Sequence, residues 1–179
     1  FARAGLEDDY ATGTLSVTIK LGFPGEPDNG WEVEAQLYDG DVPVLDAPLR
    51  KKVWSAVKGH SPYRPALGQV TLESLVPAPR LWSSETPNLY TLVVTLHRAG
   101  GPAVEATSVR VGFRRVELGD RELLINGKPV MIAGMNRHEH HPTRGKAITR
   151  EDMLADVLLM KQFNVNAVRT SHYPNHEAW

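Results

Sequence analysis

The chain has 179 residues, 41% of them hydrophobic and 23% charged, with a formal net charge of −1. These are ordinary globular values and give no electrostatic case for nucleic acid or an anionic membrane as a partner. It has no cysteine, which excludes disulfides, thiolate metal sites and thiol nucleophiles and fits a reducing, cytoplasmic setting.

No apolar run approaches the roughly 20 residues that span a bilayer. Phe1-Ala2-Arg3-Ala4-Gly5 leads directly into Glu7-Asp8-Asp9, with no signal-peptide pattern. The chain opens without methionine and its pattern is still running at Asn175-His176-Glu177-Ala178-Trp179, so we expect an internal piece of a longer protein.

The first two-thirds read as strands. Leu15, Val17, Ile19 and Leu21 alternate with polar residues, and Trp31, Val33, Ala35 and Leu37 do so again after a turn-rich stretch from Phe23 to Gly30. Period-two alternation buries one face and solvates the other, as in an antiparallel sandwich. Residues 39–65 are proline-rich and read as loops with short edge strands. Further strands are expected at 69–72, 89–97 and 104–113. Short strands between turn signals suit an immunoglobulin-like β-sandwich over residues 1–115.

Residues 116–179 change character. Leu123-Leu124-Ile125 and Val130-Met131-Ile132 flank Asn126-Gly127-Lys128-Pro129, a hairpin signal because Asn-Gly readily takes the positive φ of a tight turn. A helix should then start at Thr149, with Asp152 completing a capping box and Ile148 and Met153 forming a hydrophobic staple. Met153, Leu154, Val157, Leu158, Met160 and Phe163 mark its apolar face. A short buried strand is expected at 166–170. Strand, loop, helix, strand makes one βαβ unit with a right-handed crossover. A complete barrel of eight such units takes roughly 250 residues, so this second domain is expected to be the truncated start of a (β/α)8 TIM barrel.

Five of the seven histidines lie just after the expected parallel strands: His138, His140 and His141 in Asn-Arg-His-Glu-His-His-Pro, and His172 and His176 in Ser-His-Tyr-Pro-Asn-His. Loops after strand C-termini form the active-site rim of α/β folds, so the two clusters are expected to face one pocket. Zinc binding is the weaker chemistry for them, because the i, i+4 histidine pair of a zinc helix is missing and Pro142 argues against a helix. Hydrogen bonding to a polyhydroxylated ligand suits imidazole better. For His140, His141 and His176, and for His60 and His97 in the sandwich, an ordinary structural role is the simpler expectation. Arg169 interrupts a strand expected to be buried and therefore needs a carboxylate partner. There is no Gly-x-Ser-x-Gly elbow and no phosphate-binding loop.

Ile132-Ala133-Gly134-Met135-Asn136-Arg137-His138-Glu139-His140-His141-Pro142 resembles the first barrel strand and loop of the β-galactosidases of glycoside hydrolase family 2. Asn166-Ala167-Val168-Arg169-Thr170-Ser171-His172-Tyr173-Pro174 resembles the opening of the same family's signature. Arg80-Leu81-Trp82-Ser83, Pro87-Asn88-Leu89-Tyr90 and Val111-Gly112-Phe113-Arg114 are similar to its late sandwich and its approach to the barrel. The resemblance implies that His138 and His172 contact a galactosyl group and stabilise the transition state, with Arg169 supporting the carboxylates of the site. It implies a retaining hydrolase of terminal β-D-galactosides such as lactose, using two glutamates that lie beyond Trp179. It also implies Mg2+ and Na+ bound by residues outside this segment, and a homo-oligomeric whole enzyme. Neither Glu139 nor Glu177 matches a catalytic glutamate, so the chain alone should be inactive. β-Glucuronidase and β-mannosidase of the same family are the near alternatives. A non-catalytic carbohydrate-binding sandwich using Trp31, Trp54 and Trp82 is the distant one.

Overall fold

The computed structural model describes residues 1–23, 30–53 and 66–179. The 23–30 turn, Trp54 and His60 therefore fall wholly or largely outside the described residues. The chain divides into two compact units, Phe1–Lys128 and Pro129–Trp179.

The first unit is built on two antiparallel sheets. Ala2–Leu6 (β1) pairs with Thr12–Phe23 (β2), and β2 pairs along its length with the strand Ala66–Pro77. Trp31–Asp39 (β3) centres the other sheet. Val42–Pro43 (β4) and Leu49–Lys52 (β5) share one of its edges, one at each end, and Ala66–Pro77 is numbered β6. On its other side β3 pairs with Tyr90–Arg98 (β7), which pairs in turn with Ala103–Val111 (β8).

Alternation decides which face is inside. Leu15 and Val17 of β2, Val70 and Leu72 of β6, Val33, Ala35 and Leu37 of β3 and Leu92 of β7 are all buried in one core. The register puts Val17 opposite Leu72 and Leu37 opposite Leu92, and such cross-strand pairs are the unit of sheet stability. Fully burying a Leu or Val side chain is worth ~1.5–3 kcal/mol, so this row of residues dominates the stability of the unit. Tyr90 packs edge-on against fully buried Phe113, ring centroids 5.3 Å apart. Its hydroxyl accepts the Arg80 backbone N–H at 2.7 Å, tying the start of β7 to the preceding loop.

A hairpin closes the unit: Val116–Leu118 (β9), Leu123–Ile125 (β10) and, through Asn126-Gly127, Lys128–Pro129 (β11). Both turn residues have positive φ, 52° and 72°, as a tight turn of this kind demands. The Asn126 amide also bonds outward, accepting from the Arg115 N–H and donating to the Trp82 carbonyl, each at 3.0 Å.

In the second unit Gly134–Arg137 (β12) pairs in parallel with Ala167–Thr170 (β13), connected through the helix Arg150–Gln162 (α1). The strand lies later than the apolar run at 130–132 suggests. Met131 and Ile132 are exposed, and pairing begins at Gly134, where an added Cβ would meet the Ala167 carbonyl oxygen at 3.2 Å. Glycine suits this close backbone approach, having no Cβ to accommodate. The helix is capped as its sequence implies: the Thr149 hydroxyl accepts the Asp152 N–H and the Asp152 carboxylate accepts the Thr149 N–H. Of its expected apolar face only Met153 and Met160 are buried, while Leu154, Val157, Leu158 and Phe163 are exposed.

Candidate active site

The two parallel strands end side by side, with Arg137 opposite Thr170. Each runs straight into a histidine-bearing loop, so the register itself carries His138 and His172 to the same end of the sheet. Their rings meet edge to face with centroids 5.4 Å apart. The Tyr173 ring lies 5.9 Å from His138. All of this follows from the first residues of loop after each strand.

The two loops are tied together by backbone. The Ser171 N–H donates to the Arg137 carbonyl at 2.9 Å. The Glu139 N–H donates to the Tyr173 hydroxyl at 2.9 Å. The Glu139 carboxylate accepts the His176 N–H at 3.0 Å. The peptide between Ser171 and His172 is cis.

Three other residues of the clusters have structural work. His141 Nδ1 accepts from the Thr143 and Arg144 N–H groups, organising the turn that leads to α1. His176 Nδ1 accepts from the Ala178 N–H. Ser171 is fully buried with its hydroxyl donating to the Arg169 carbonyl, an arrangement unsuited to a nucleophile. His140 is exposed.

Arg169 is not where its sequence context implies. It is exposed and makes no side-chain hydrogen bond or ion pair with the described residues. Among the described residues β13 pairs with β12 alone. The buried guanidinium belongs to Arg137 instead, with its side chain 4% exposed and its Nε donating to Asp156 on α1 at 2.9 Å. Sequence reasoning missed Arg137 and Tyr173. Once the strand is placed at Gly134–Arg137, alternation with Asn136 would have put Arg137 on the opposite face from Asn136.

Asp152 holds the start of α1. The backbone N–H of Thr149, then the Arg144 guanidinium and the Thr149 hydroxyl, lower its carboxyl from the usual 3.8 to about 2. Among the described residues no three His, Cys, Asp or Glu side chains converge as a metal would require. No step below depends on a metal. No helix among them is long and apolar enough to cross a membrane.

Comparison with known proteins gives this geometry a setting. Residues 1–114 match the profile described as "Glycosyl hydrolases family 2", and residues 116–179 match "Glycosyl hydrolases family 2, TIM barrel domain". A β-galactosidase of Photobacterium profundum is 42% identical over 179 residues, covering all of this chain and 17% of that protein. A β-galactosidase of Vibrio vulnificus is 40% identical over 184 residues, with the same two coverages of 100% and 17%. Among solved structures, a β-glucuronidase of Bacteroides uniformis superposes with TM-score 0.83 at 27% identity, over 99% of this chain and 20% of that one. A β-glucuronidase of Parabacteroides merdae does so with TM-score 0.78 at 28% identity, over 99% and 21%.

The fold and these matches define a sandwich domain followed by the start of a TIM barrel domain. The chain belongs to glycoside hydrolase family 2. It spans 17% of the length of the curated relatives it matches.

Proposed function

We propose that the whole enzyme is a retaining β-galactosidase acting on terminal β-D-galactosides such as lactose, and that this segment supplies contacts to the sugar. The observation that carries the reading is the meeting of His138 and His172, 5.4 Å apart, at the ends of adjacent parallel strands. Imidazoles so placed donate to or accept from sugar hydroxyls, and those bonds tighten as the ring flattens toward an oxocarbenium-like transition state. Arg169, exposed on the neighbouring strand end, is proposed to support the carboxylates of the assembled site. The nucleophile and acid/base glutamates are assigned to residues outside these 179, so the segment alone should not turn over substrate.

The galactosidase reading is supported by the likeness over the full segment to relatives named β-galactosidase, at 42% and 40% identity. Two of the aromatic residues that a carbohydrate-binding module would use are already engaged by arginines. Trp31 lies under the Arg98 guanidinium at 4.0 Å and Trp82 under that of Arg114 at 4.4 Å, while Trp54 is outside the described residues.

The test is kinetic. In the complete enzyme His138→Phe or His172→Phe should lower kcat on a chromogenic β-galactoside by about 10²-fold or more, with a smaller change in KM. A raised KM with kcat intact would remove these histidines from transition-state stabilisation. Higher kcat/KM on the matching β-glucuronide or β-mannoside would move the substrate assignment.

A further inference from the structure

We propose that Arg137 is a positioning residue for His138 and His172: held by Asp156, it fixes Glu139 and with it the two loops that carry the histidines. The proposal rests on the glycosidase reading above and deepens it.

The loop contacts have a pattern. His138 is flanked by Arg137 and Glu139, and His172 by Ser171 and Tyr173. The hydrogen bonds between the loops join those flanking residues in the same order, Arg137 with Ser171 and Glu139 with Tyr173, each at 2.9 Å. The histidines are thus the middle rung of a three-rung ladder, and their relative orientation is set by the rungs on either side.

Arg137 reaches both of those rungs. Its own carbonyl forms the first. Its side chain secures the second, with Nη1 3.7 Å from Glu139 Oε1. That distance gives ion-pair attraction without a hydrogen bond, which leaves Oε1 free to accept the His176 N–H. The guanidinium is anchored from the other side by Asp156 and lies 3.8 Å over the Trp179 ring. Both terminal nitrogens are buried and make no hydrogen bond among the described residues. A buried cation with unspent donors is a poor way to gain stability, since an apolar residue of similar volume often does better. It is a good way to hold a carboxylate in one place.

A double-mutant cycle in the complete enzyme separates positioning from mere support of the fold. We expect Arg137→Met to lower kcat by up to about 100-fold, the scale of an ångström-level misplacement, with KM changed far less. If Arg137 acts through His138, Arg137→Met should cost little further kcat in a His138→Phe background. Equal losses in both backgrounds would overturn the proposal. Wild-type kcat in His138→Phe would instead overturn the functional reading beneath it, whatever Arg137 does. Should Arg137→Met fail to fold, Glu139→Gln serves in the same cycle, because it keeps an acceptor for the His176 N–H while removing the charge Arg137 holds. The same non-additivity is expected, and additive losses would again refute the assignment.

Discussion

At Gly13 the sandwich leaves no space for a side chain. A Cβ there would lie 2.8 Å from the Phe113 ring and 3.0 Å from Pro79, and Phe113 is itself fully buried against Tyr90. Overpacking of this kind costs ~1–3 kcal/mol, so Gly13→Ala should lower the unfolding midpoint in denaturant by a matching amount. An unchanged midpoint would mean that the ring has room to retreat. The same residue-level view shows what sequence could and could not convey about the site. The meeting of His138 and His172 was legible because each lies just after an expected strand, although β12 begins later than its apolar run suggests. Arg137 was not, because its partner Asp156 lies nineteen residues on, along a helix whose facing depends on packing. Arg169, which a charge within an apolar run marks for burial, is exposed on β13 among the described residues.

The elements differ in how locally they are specified. The start of α1 is wholly local: Thr149 and Asp152 cap each other, and Arg144 adds charge to the same carboxylate. Because the folded carboxyl is lowered to about 2 from 3.8, its contribution is complete above the ordinary value and is lost as pH falls between them. Amide exchange in the first turn of α1 should therefore quicken as pH drops from about 4 to about 2, after correction for intrinsic rates. Asp152→Asn should abolish that acid dependence. Fraying that instead set in on raising the pH, or that survived the substitution, would refute the link. Strand β12 shows the opposite case. The apolar run at 130–132 drew the expectation, but the ladder formed at Gly134–Arg137, where a Cβ on Gly134 would sit tightly against Ala167. Strand β1 went unread because Ala2-Arg3-Ala4-Gly5 offers small residues and a charge in place of alternating bulk.

For the molecule as a whole, the two units are unequal. Among the described residues, Phe1–Lys128 encloses a core of fourteen buried apolar residues. In Pro129–Trp179 only Met153 and Met160 are buried among the hydrophobics, while Met131, Ile132, Leu154, Leu158 and Phe163 face outward. Hydrogen exchange on the 179-residue chain should accordingly show β2, β3 and β7 protected at least tenfold more than β12 and β13, since protection follows local burial. Equal protection in the two units would mean that the barrel segment is stable without further strands. The sandwich also precedes the barrel in chain order, and this gives its completeness a meaning during synthesis. Domains generally fold as units while translation proceeds at about 5–20 residues per second. The sandwich can close on the ribosome as soon as β8 and the hairpin emerge, because the pairings of its two sheets all lie within residues 1–111.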